Sequence, residues 1–151
     1  MSVPPPDRCG PDPDLRPGEG PIRLLLVDDE QGYVNVLANR LTKRGFQVAK
    51  AFSGGEAIRA MRGRDFDVAV LDLKMEDMDG IEVLKVLKTM DARLEVIMLT
   101  GHGSETAARE GIEAGACDYL TKPCELDELL AKIREAFARR RRRQGPAGPP
   151  G

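Results

Sequence analysis

The 151 residues amount to one ordinary domain, and 41% apolar against 32% charged residues supplies both a core and a well-solvated surface. Net charge is −2, no apolar run approaches the length of a membrane span, and the three cysteines (Cys9, Cys117, Cys124) have neither disulfide nor metal spacing. A membrane helix, a disulfide scaffold and a cysteine metal centre are thereby excluded, and a reducing cytoplasm is the expected setting.

Residues 1–21 hold seven of the eleven prolines and almost no apolar side chains. They read as a disordered arm, without the apolar stretch of a signal peptide. Ile22–Val27 is a nearly unbroken apolar run, the first predicted strand. Val34, Leu37, Ala38 and Leu41 then recur at helical spacing, and Gly45 closes that helix. Gln47–Ala51 mixes polar with apolar residues, as an edge strand does. Ser53 and Glu56 have capping-box spacing ahead of Ala57, Ile58 and Met61. Val68–Leu71 is a second continuous apolar run, followed by a stripe of Val83, Val86, Leu87 and Met90, and Val96–Leu99 is a third run. The fourth predicted helix, Ser104–Ala114, is built of Ala and Thr and carries Gly111, which costs about 1 kcal/mol against Ala in a helix interior. It is expected to be the least firmly held. Cys117–Leu120 is a second mixed, edge-like strand. Leu126, Leu129, Leu130 and Ile133, with Phe137 one turn on, form the last stripe. Arg139–Arg143 follow, then a Pro/Gly-rich tail. Removing those five arginines from the 23 basic residues leaves 18 against 25 acidic ones, so the expected folded part (residues 22–138) is acidic and the segment 139–151 starts basic.

Five strand–helix units with short connections predict an α/β fold. It is a three-layer, doubly wound, five-stranded parallel sheet, flavodoxin-like, with the mixed strands at its edges in the order 2-1-3-4-5. Ligands bind such sheets at the carboxyl ends of the strands. Those ends carry Asp28, Asp29 and Glu30 after the first strand, Asp72 after the third, Thr100 after the fourth, and Thr121, Lys122 and Pro123 after the fifth. Carboxylates gathered in one crevice repel and raise one another's pKa, and a hard divalent cation, best Mg²⁺, relieves this. Asp28 and Asp29 are placed as metal ligands, and Asp72 as a nucleophile toward a phosphoryl group. Lys122 is placed to neutralise the phosphoryl oxygens and Thr100 to donate a hydrogen bond to one of them.

Together these segments resemble the receiver domain of bacterial two-component response regulators. The matching pieces are Leu-Leu-Val-Asp-Asp-Glu (25–30), Val-Leu-Asp-Leu-Lys-Met (70–75), Met-Asp-Gly-Ile-Glu (78–82), Met-Leu-Thr-Gly-His-Gly (98–103), Ala-Gly-Ala (114–116) and Asp-Tyr-Leu-Thr-Lys-Pro (118–123). The resemblance implies that Asp72 is phosphorylated and that Asp28, Asp29, Asp72 and the main-chain carbonyl of Lys74 hold Mg²⁺. It makes Thr100 and Tyr119 the switch residues and puts Pro123 after a cis bond. It implies a phosphohistidine donor on a sensor histidine kinase or phosphotransfer protein, and a downstream protein partner, or a second copy, reading the face of helix four, strand five and helix five. Lys74 and His102 fall where the family tunes aspartyl-phosphate lifetime; His102 reads as a solvent-facing loop residue rather than a metal ligand. Glu76 and Cys124 depart from the family pattern, Glu76 standing where proline is usual. With 13 residues after position 138, the chain reads as a stand-alone receiver.

Four other readings compete with this one. A phosphatase of the haloacid dehalogenase type needs a second Asp two residues after the nucleophile, where Lys74 stands. A dinucleotide-binding domain needs Gly-x-Gly-x-x-Gly where Asp28, Asp29 and Glu30 stand. A binding module of the same fold that is never phosphorylated is disfavoured by the retention of Asp72, Thr100 and Lys122. Nucleic-acid binding through Arg139–Arg143 is disfavoured relative to a solvated extension of the last helix.

Overall fold

The computed structural model describes residues 21–74, 79–101 and 105–144, except for the side chains of 141–144. Five strands, β1 (Arg23–Val27), β2 (Gln47–Ala51), β3 (Val68–Asp72), β4 (Glu95–Thr100) and β5 (Asp118–Thr121), alternate with five helices. These are α1 (Gln31–Lys43), α2 (Gly54–Gly63), α3 (Gly80–Met90), α4 (Glu105–Glu113) and α5 (Leu126–Gln144). All strand pairs are parallel and the order is β2-β1-β3-β4-β5, as expected.

Period-two alternation divides each interior strand between two cores. Leu24, Leu26, Val68, Val70, Ile97 and Leu99 face α1 and α5. Leu25, Val27, Ala69, Leu71, Val96 and Met98 face the other way, against α2 and α3. Every residue of β3 and β4 is buried, which is why their sequences read as unbroken apolar runs, whereas all but Ala51 of the edge strands β2 and β5 are half-buried or exposed.

The helices follow local signals. Ser53 caps α2 by accepting from the Glu56 amide at 3.1 Å, and the Glu56 carboxylate reaches back to the Phe52 amide at 2.8 Å. Gly45, at φ 98°, takes the left-handed turn that ends α1, with its amide on the Thr42 carbonyl. On α3 the buried face is Gly80, Val83, Leu84 and Leu87, so Val83 and Leu87 of the expected stripe are buried while Val86 is half-buried and Met90 exposed. Only Ala108 and Gly111 of α4 are fully buried. Gly111 does more than lower helix propensity: a Cβ there would collide with the Met98 thioether, so its bareness lets α4 lie close against β4.

The last helix, α5, continues past residue 138 to Gln144. Arg140, read as part of a solvated extension, is only 4% exposed. Its Nε donates to Asp67 Oδ1 at 3.0 Å and Nη1 donates to the Arg93 carbonyl at 3.1 Å. Asp67 also accepts from the Arg23 amide and guanidinium at 2.9 to 3.2 Å. Burial alone would raise the Asp67 pKa, but the hydrogen bonds and charge of Arg23, joined by Arg140, outweigh it and hold it below the usual carboxylate value. This network ties α5 to the starts of β1 and β3, at the end of the sheet away from the acidic residues. The arm before Pro21, Glu76, His102 and the tail from Gly145 lie outside the described residues.

Candidate functional site

The register of the sheet builds the site. Val27 pairs with Leu71, Asp72 with Leu99, and Thr100 with Thr121. Asp28, Asp72, Thr100 and Lys122 therefore leave four adjacent strands at one level. β1 and β3 are neighbours although their helices pack on opposite faces, so the crevice opens where the winding reverses.

Oxygens of Asp28, Asp29 and Asp72 all lie within 4.8 Å of one another. Asp28 and Asp72 are buried and Asp29 is half-buried. A bland role for the acidic pair, capping α1, is not what the geometry gives: the cap is Glu30, and it makes no side-chain cap bond. Asp28 Oδ1 accepts from the Glu30 amide at 3.0 Å, leaving Oδ2 to face the crevice. Asp72 Oδ1 likewise accepts from the Lys74 amide at 3.1 Å.

Lys122 is the cation of the site. Its Nζ lies 2.9 Å from Asp28 Oδ2, 3.3 Å from Glu30 Oε1 and 3.6 Å from Asp72 Oδ2. Burial works against the ammonium, but the bonds and charges of Asp28, Asp72 and Glu30 outweigh it and raise its pKa above the ordinary value. Burial pushes the Asp72 carboxyl up to about 6, with Asp28 adding to the rise while the Lys74 amide and Lys122 oppose it. Crowded carboxylates with one ammonium among them are a donor set suited to a hard divalent cation, which would bring the missing positive charge.

Thr100 is 3% exposed, and among the described residues its hydroxyl makes one long bond, of 3.5 Å to the Leu120 carbonyl. Tyr119 is 43% exposed on the outer side of β5. The Lys122–Pro123 peptide is cis. The Lys74 side chain is exposed, so only its backbone belongs to the crevice. Tyr33 escaped sequence reasoning: its ring centroid lies 4.8 Å from the Lys122 ammonium. It stands three residues beyond Glu30 with no motif around it, and only the turn of α1 brings it under the lysine.

Residues 24–134 match the family model of the response regulator receiver domain. The transcriptional regulatory protein TcrA of Mycobacterium tuberculosis is 39% identical over 135 residues, covering 83% of this chain and 53% of that protein. The transcriptional regulatory protein ZraR of Klebsiella oxytoca is 36% identical over 125 residues, covering 83% of this chain and 28% of that protein. The chain thus spans about half, or less, of the length of these relatives. Among solved structures, a CheY-like response regulator receiver domain protein from Methanospirillum hungatei superposes with a TM-score of 0.78 at 29% identity, covering 83% of this chain and all of that one. The receiver domain of the Francisella response regulator 1452 gives 0.73 at 31% identity, covering 80% of this chain and 99% of that one.

Proposed function

Because this chain belongs to the response regulator receiver domain family, whose members signal through phosphorylation-dependent switching, we propose that Asp72 accepts a phosphoryl group from a phosphohistidine of a sensor histidine kinase or phosphotransfer protein. The observation that carries the reading is the meeting of the Asp28, Asp29 and Asp72 carboxylates within 4.8 Å, beside the Lys122 ammonium. Asp28, Asp29, Asp72 and the Lys74 carbonyl would hold Mg²⁺, which when bound offsets negative charge on the incoming phosphoryl oxygens.

The chain's own groups do the rest. The Lys74 amide holds Asp72 Oδ1, so Oδ2, the oxygen nearer Lys122, is the one left to attack phosphorus. The O–P bond forms to Asp72 as the P–N bond to the donor imidazole breaks, and the electron pair returns to that nitrogen. Lys122 screens the phosphoryl charge. Thr100, held by one long bond, is free to turn its hydroxyl from the Leu120 carbonyl to a phosphoryl oxygen. That move draws β4 and β5 toward the crevice, and Tyr119, now outside on β5, turns inward. The face of α4, β5 and α5 then differs between the two states, and a downstream partner or a second copy reads the difference.

Intact mass after incubation with Mg²⁺ and acetyl phosphate tests this. One added phosphoryl group in the parent, absent without metal and absent in Asp72→Asn, is the expected result. No added mass in a folded parent, with short-lived label trapped by rapid quench, leaves a phosphorylation-independent binding module.

A further inference from the structure

We propose that Tyr33 is a positioning residue for Lys122, an inference that rests on the phosphoacceptor reading. The partners of the Lys122 ammonium are unequal in what metal loading does to them. Asp28 at 2.9 Å is the shortest contact, and it is also one of the three carboxylates poised for a cation. Asp72 at 3.6 Å is both a metal ligand and the reacting group. Glu30 at 3.3 Å is outside the cluster but its side chain is 67% exposed, so water and salt screen it. Once the carboxylates are committed, the ammonium loses its strongest restraint while carrying a long stem with many rotamers.

Glu30 and the Tyr33 ring are the described partners outside the carboxylate cluster, and of the two only the half-buried ring escapes screening by salt. Its centroid is 4.8 Å from Nζ, within the reach of a cation–π contact. The ring packs on the core shared by α1 and α5. It shares that core with Cys124, two residues beyond Lys122 and across the cis peptide. It is therefore pinned by its own helix at one end and by the lysine's own loop at the other. An apolar face beneath an ammonium keeps the charge in the crevice without competing for the metal and without giving the lysine an anion to pair with instead of the phosphoryl group.

The test compares the parent, Tyr33→Leu and Tyr33→Phe for phosphoryl loading from acetyl phosphate, each titrated with Mg²⁺. The leucine variant should lose about 2- to 30-fold in maximal loading rate, the range cation–π contacts span from exposed to desolvated sites. Its half-saturating Mg²⁺ concentration should match the parent's, because no metal ligand is touched. Phenylalanine keeps the ring face and should restore most of the rate. Tyr33→Met serves in place of leucine where leucine lowers the unfolding midpoint. A folded leucine or methionine variant that loads at the parent rate overturns the proposal. So does a rate loss that tracks weakened Mg²⁺ binding, which marks a general loosening of the crevice. A parent that takes no phosphoryl group is a different failure, that of the phosphoacceptor reading itself.

Discussion

Asp67→Ala probes how the end of the sheet opposite the crevice is held. One carboxylate there accepts the Arg23 amide at 2.9 Å, two guanidinium nitrogens of Arg23 at 3.2 and 3.0 Å, and Arg140 Nε at 3.0 Å. Arg23 is 40% exposed at its side chain and regains water when the acid is removed, so its share of the loss is small. Arg140 is 5% exposed at its side chain and, among the described residues, keeps the Arg93 carbonyl. Leaving a buried charge without its partner costs about 3 to 5 kcal/mol, and the position of Arg140 near the end of α5 puts the expected loss at the low end, about 3 kcal/mol. Urea unfolding followed by far-ultraviolet circular dichroism at pH 7 measures it. Because the folded pKa of Asp67 is lowered, the stability it contributes is complete above its unfolded value of about 3.9. That contribution disappears as pH falls through the folded value. The gap between parent and variant should thus be constant from about pH 5 to 8 and close below about pH 4. Replacing both members, as Asp67→Leu with Arg140→Met, should recover most of the loss, since no lone charge remains. A single variant within about 1 kcal/mol of the parent, or a gap that widens on acidification, would refute the account.

Three further outcomes follow from the packing and the donor set. Gly111→Ala would gain about 1 kcal/mol on an exposed helix, but here the new methyl meets Met98, and urea unfolding should show a net loss of about 1 to 2 kcal/mol that reverses sign in a Met98→Ala background. Gly80→Ala places a Cβ 2.6 Å from the Leu73 carbonyl oxygen, a backbone group that cannot rotate aside. It should cost about 2 kcal/mol or more by the same assay and also slow loading of the neighbouring Asp72. Mg²⁺ at a hundred times its dissociation constant should stabilise the parent by about 2.7 kcal/mol in thermal unfolding, with a smaller rise at the same concentration in Asp29→Asn.

The interior of the sheet was legible because β3 and β4 are buried on both faces, leaving no polar alternation to confuse the period. The crevice was legible for a related reason: parallel strands end at one level, so the residue after each apolar run is placed by the run itself. Asp28, Asp72 and Thr100 needed no further information, while Lys122 follows a mixed edge strand whose end is less sharply marked. What escaped depends on three-dimensional neighbours that no local spacing encodes. Asp67 and Arg140 are 73 positions apart, and an arginine run after a helix looks alike whether or not one member turns inward. Gly111 has a low helix propensity in any sequence, and only Met98 beneath it explains why the gap is filled by nothing larger. Tyr33 sits on a helix whose buried stripe of Val34, Leu37, Ala38 and Leu41 drew attention to the opposite register.

The 19 residues of α5 set a distance as well as a core. At about 1.5 Å per residue the helix runs about 28 Å, from just past the cis peptide beside Lys122 to the end anchored by Arg140. A surface linkage, an affinity handle or a fluorophore joined beyond Gln144 would therefore leave from the far side of the molecule. It would keep the mouth above Asp72 clear for a donor to approach, so immobilised protein should load its carboxylate as readily as protein in solution.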